Sequence, residues 1–221
     1  MCGDNVWSGI RKPHGALAST ARRGGVKVSG VDSLGDGGVD PRSLPKTPDG
    51  FRLAWSLVED TWSATVERAR QLPEPSLHES VNGEWSFVET QRHLIFGTDA
   101  WVRRTILGEA RPYHRLGLPP DHRIGVPEPG VDVTPWGIDV CAEASLHEVL
   151  DVRAERSRCV REVVEGLADR DLQRTCGHNP APGFPPSTVV PVGFCLDVLI
   201  GEEWAHHGYA TRDLEVLESR C

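Results

Sequence analysis

No window of this 221-residue chain approaches the roughly 18 consecutive apolar residues of a membrane span, so the sequence predicts no membrane segment. A surplus of positive charge is lacking too. The net charge of -8 and the pI near 5.6 argue against nucleic acid or an anionic membrane as the main partner. The cysteines (Cys2, Cys141, Cys159, Cys176, Cys195 and Cys221) include no Cys-x-x-Cys pair, which argues against a zinc ribbon or a redox motif. The opening residues Met-Cys-Gly-Asp-Asn-Val-Trp lack the positive-then-apolar order of a secretory signal. The expected compartment is therefore the cytoplasm, where a disulfide framework is not expected. No Gly-rich phosphate loop, nucleophile elbow or dinucleotide fingerprint occurs. Lysine is scarce, at three of 24 basic residues, a skew that GC-rich coding produces.

The length suits one domain with a long tail, or at most two small domains. Residues 1–46 are Gly-rich, with isolated apolar residues and no sustained period, and are expected to be a disordered or loosely structured tail. Val26 to Val31 could make a short strand within it. From 47 to 221 the pattern is helical. Thr47 is a plausible N-cap with Pro48 at the first helical position. The first stripe is Trp55, Val58, Trp62, Val66, Ala69 and Leu72, stopped by Pro73. Ser86 with Glu89 opens a second helix that runs to about Leu107 and ends at Gly108. Ser145 with Glu148 repeats that capping pattern for a third, and a fourth runs from about Val192 to Glu218. Pro- and Gly-rich stretches at 109–144 and 174–191 make two long irregular connections. The expected fold is all-α, a four-helix bundle.

The fourth helix, read at alternating steps of four and three, gives Leu196, Ile200, Glu203, His207, Ala210, Leu214 and Leu217. A carboxylate and an imidazole at consecutive positions of an apolar seam carry a large desolvation cost. A divalent metal offsets that cost, because it wants both groups unprotonated and facing each other. The neighbouring row Cys195, Leu199, Glu202, His206, Tyr209 and Asp213 grows more polar and reads as the flank of the seam. The expected pair is thus Glu203 and His207. A bundle site draws ligands from facing helices, and the second helix offers His93 on a row with Phe96, Ala100 and Leu107. His93, Glu203 and His207 would make a His2Glu set with an open position. Zn2+, Ni2+ and Fe2+ all suit such ligands. The alternative is a buried Glu–His pair that holds the bundle without metal.

The run from Asn82 to His93, Asn-Gly-Glu-Trp-Ser-Phe-Val-Glu-Thr-Gln-Arg-His, resembles the opening of helix two in the DinB-like superfamily. The run from Glu202 to Leu214, Glu-Glu-Trp-Ala-His-His-Gly-Tyr-Ala-Thr-Arg-Asp-Leu, is similar to its helix four. Many members carry His-x-x-x-His there, and the mycothiol-dependent maleylpyruvate isomerase branch carries Glu-x-x-x-His, matched here at Glu203 and His207. The resemblance spans about residues 50–218. It implies an up-down-down-up bundle with a divalent metal, in a stand-alone branch that includes thiol S-transferases, with mycothiol as the expected co-substrate, and many proteins of unknown activity. The isomerase has a further C-terminal domain without counterpart here, so isomerisation is not what the resemblance implies.

Other residues complete the expected site. In the first long connection His114, Asp121 and His122 are candidates for a general acid or base, with His114 the best of them. Arg103 and Arg104 could hold an anionic substrate, although a solvated or salt-bridged helix end explains them better, with Asp99 as an exposed i, i+4 partner of Arg103. Trp85 and Trp204 either pack the bundle or wall a pocket, and Trp85 is the candidate for binding the thiol. His147 and His178 read as surface residues. The expected activity is thiolate attack on an electrophile, with a metal-dependent hydrolase or a non-catalytic metal- or ligand-binding stress protein as the alternatives. The expected partners are a small-molecule thiol and an electrophile, acting on a monomer or homodimer.

Overall fold

The computed structural model describes residues 39–120, 132–177 and 189–220. The expected strand at Val26 to Val31, together with Asp121, His122 and His178, lies outside them. Among the described residues five α-helices form: α1 (Pro48–Ala69), α2 (Phe87–Thr98), α3 (Leu146–Glu165), α4 (Asp169–Leu172) and α5 (Val192–Glu218). The described residues contain no β-strand, only an isolated bridge between Thr175 and Pro191. The helix starts follow local chemistry. The Thr47 side chain accepts from the Gly50 N–H with Pro48 at the first position. Ser86 with Glu89 and Ser145 with Glu148 close complete capping boxes at α2 and α3.

The topology can be read from the side chains that bridge the helices. α1 and α2 each pack against both α3 and α5. Lys46–Asp197, Thr65–His207 and Arg68–Glu218 advance together, so α1 and α5 run parallel. Arg52 reaches the carbonyl of Leu167 and Glu59 pairs with Arg161, so α1 and α3 are antiparallel. Gln91 with Arg153 and Asp99 with Arg156 make α2 and α3 parallel. The order is up, down, down, up. Residues 39–46, expected within the tail, pack on the bundle: Pro41 is buried and Lys46 pairs with Asp197 at 2.5 Å.

Past Thr98 the second helix continues as a π-helix over Asp99–Ile106, where the Leu107 N–H donates to the Val102 carbonyl five residues back. Asp99 stands at that junction and is fully buried, which corrects the expectation of an exposed partner for Arg103. Its carboxylate accepts from Arg156 Nε at 2.7 Å, from the His114 N–H at 2.8 Å and from Arg103 at 3.4 Å. Burial pushes its carboxyl pKa upward against the pull of Arg156. Asp99→Ala would leave the Arg156 guanidinium, 3% exposed, without its main counter-charge. A loss of about 3–5 kcal/mol in denaturant unfolding is expected, since an uncompensated buried charge costs that much.

Candidate metal centre

Trp62, Ile200 and Leu214 belong to a core of apolar side chains that fills the bundle, and a polar layer crosses it near mid-height. On the side where α2 faces α5, three donors converge. His93 comes from α2, and Glu202 and His206 from successive turns of α5. His93 Nε2 lies 3.5 Å and His206 Nε2 3.4 Å from Glu202 Oε2. One ligand atom from each of the three lies within 4.8 Å of the others, and all three residues are buried. Trp85 covers the group, with its ring 4.5 Å from that of His93 and 5.8 Å from that of His206.

The electrostatics favour a cation. Burial opposes the Glu202 charge, yet hydrogen bonds with His206 and His93 outweigh it and bring the carboxyl pKa to about 2. Desolvation lowers His206, which favours the neutral imidazole that coordinates metals. His93 Nδ1 faces the Leu118 carbonyl at 2.9 Å and donates to it, which turns Nε2 toward Glu202. The second nitrogen of a metal-bound histidine commonly donates to a backbone carbonyl in this way. The group therefore fits a divalent metal on its donor set.

Glu203 and His207 are not brought to His93, and the expected ligand set is corrected accordingly. One residue along a helix is a rotation of about 100°, so the side chains next to Glu202 and His206 turn away from α2. Glu203, with no exposure at all, takes both outer nitrogens of Arg153 at 2.9 and 2.8 Å. Burial pushes its carboxyl pKa up, while the Arg153 charge and hydrogen bonds pull it down. His207 faces α1, with Nε2 2.8 Å from Thr65 Oγ1 and 3.2 Å from Thr211 Oγ1, and its ring stacks on Trp204.

The remaining candidates divide. Trp85 stands at the centre, whereas Arg103 braces the first connection, through Glu109 at 2.6 Å and the Pro112 carbonyl at 2.8 Å. Arg104 does the same through the Glu109 carbonyl. His114 binds Asp99 by its backbone N–H and accepts from the Leu116 N–H at Nδ1, while burial lowers its pKa. His147 is a surface residue, as expected, 3.8 Å from Asp151.

Sequence reasoning missed Arg92. Its buried guanidinium donates to the carbonyls of Leu116, Asp139, Val140 and Ala142, and its own carbonyl accepts from the Leu118 N–H. Arg92 thereby pins the connection whose Leu118 carbonyl orients His93. Its position beside His93 in sequence was the available signal. Arg92→Met is expected to weaken metal binding by roughly 10–100-fold, the usual cost of losing an orienting partner. Competition against a chelator would measure it.

A family model described as the DinB superfamily matches residues 57–210. No curated protein and no solved structure matches the chain.

Proposed function

The chain belongs to the DinB superfamily, and from that premise we propose a metal-dependent thiol S-transferase centred on His93, Glu202 and His206. The convergence of these three buried donors, with His93 oriented by the Leu118 carbonyl, is the observation that carries the reading. Zn2+ is the first candidate, and Ni2+ and Fe2+ suit the same donors. Such an ion, when bound, lowers the pKa of a thiol or water in its open position toward neutrality. The thiol class is a low-molecular-weight one such as mycothiol, and the second substrate is an electrophilic carbon compound.

The chain's own residues supply the rest. Glu202 stays ionised at neutral pH and contributes the negative charge that holds a divalent cation. His93 is oriented by the Leu118 carbonyl, so its Nε2 would meet a bound ion without reorganising. Trp85, only partly buried, walls the group and gives a thiol's apolar portion a flat surface to lie on. Phe96, 1% exposed, closes the other side of His93 and keeps bulk water away.

The test combines elemental analysis of untagged protein with consumption of a chlorodinitrobenzene-type electrophile, with and without thiol. Near one equivalent of metal and thiol-dependent consumption, both lost in His206→Ala, support the reading. Turnover without thiol would reassign the centre to a hydrolase. Metal without either turnover would make the protein a binding module.

A further inference from the structure

On the opposite face of the bundle, a cavity of about 500 Å³ opens between α1 and α3. That volume lies within the usual range for small-molecule sites. Its walls include Trp55, Trp62, Val58 and Leu150, and its inner end is formed by Gln91 and Arg153. Arg153 and the buried Glu203 paired with it separate this cavity from the metal centre.

The inner end offers donors. Arg153 Nε lies 3.3 Å from Gln91 Oε1. A guanidinium only donates, so the amide oxygen of Gln91 faces it and the amide nitrogen points elsewhere. That nitrogen, on a side chain 1% exposed, has no hydrogen-bond partner among the described residues. The indole nitrogen of Trp55, 2% exposed, has none either. A buried amide donor without a partner carries a desolvation cost that an acceptor delivered by a ligand would recover.

The charges select among acceptors. Glu203 neutralises Arg153. At the rim Glu59 is taken by Arg161 and Ser157, and Glu67 by Arg70, which leaves the exposed Asp60 as the charge without a partner among the described residues. An anion would find no free cation within and an acidic residue at the entrance. A cation would meet only donors at the inner end.

We propose that this cavity is a second binding site, independent of the metal, for a neutral flat molecule carrying a carbonyl, such as an aromatic amide or ketone. The carbonyl oxygen accepts from the Gln91 amide, and the ring lies against the Trp55 and Trp62 walls.

The experiment titrates benzamide into the full chain and follows the proton–nitrogen NMR signals of the Gln91 side-chain amide and the Trp55 indole. Both should move saturably, with benzoate and benzylamine binding about tenfold more weakly or worse. Gln91→Leu should lose about tenfold in benzamide affinity. Ala154→Trp fills the cavity from an exposed helix position without touching its inner end, and should abolish binding. His206→Ala should bind benzamide as the unchanged protein does, which separates this site from the metal reading. Still signals, equal binding of benzoate, or full binding by Ala154→Trp would overturn the proposal.

Discussion

His206→Ala and Glu202→Gln are each expected to abolish metal binding at the centre, while His207→Ala is expected to bind metal as the unchanged protein does. This contrast is the largest expected effect on function, because neighbouring residues on one helix are assigned opposite outcomes. His206 Nε2 and Glu202 Oε2 are 3.4 Å apart, in a buried group with His93. Removing either leaves two donors, too few to hold a divalent ion against water in a bundle core. The loss should exceed the roughly 10–100-fold that follows from losing an outer partner. His207 spends Nε2 on Thr65 and Thr211 and its ring on Trp62 and Trp204. Its truncation should cost packing and stability while metal content stays near one per chain. Elemental analysis of the three variants, purified in parallel, decides it. Metal lost from His207→Ala and retained in His206→Ala would overturn the assignment.

The error that this contrast exposes has a physical origin. Signals that act within a few residues were readable: Thr47 with Pro48, the Ser86–Glu89 and Ser145–Glu148 boxes, and the bounds of α5 at Val192 and Glu218. His93 was readable as well, as a polar break in an apolar row. The row on α5 was not. A helix held by one neighbour shows a single seam, but α5 is packed against both α1 and α2 and buries two adjacent rows. Leu196, Ile200 and Glu203 are buried on one, and Cys195, Leu199 and Glu202 on the other. The polar end of the second row, at Tyr209 and Asp213, suggested solvent where α2 in fact stands further up. Asp99 failed for the same kind of reason. Its spacing from Arg103 is local, while Arg156, the partner that justifies its burial, lies 57 residues away on α3.

Arg153→Met should destabilise the fold by about 3–5 kcal/mol, the cost of stranding a buried carboxylate. Glu203 has no exposure and holds both oxygens on Arg153. With the guanidinium gone, desolvation and the Glu202 charge push the carboxyl pKa up against the Trp62 hydrogen bond only, so Glu203 is driven to fold protonated. The stability deficit of the variant should then shrink as pH falls toward the ordinary carboxylate range. The sign follows from linkage. A carboxyl whose folded pKa is raised binds more protons folded than unfolded, so its penalty is present above the folded pKa and fades below it. Arg153→Met/Glu203→Leu removes both charges and should recover most of the loss, because apolar replacement of a buried pair is often neutral or stabilising. A coupling energy of several kcal/mol in that double-mutant cycle would mark the pair as mutually compensating. The double variant should also keep its metal, since neither residue belongs to the centre. A double variant as unstable as Arg153→Met alone would mean that Arg153 acts through Gln91 and the cavity between α1 and α3, and not through Glu203.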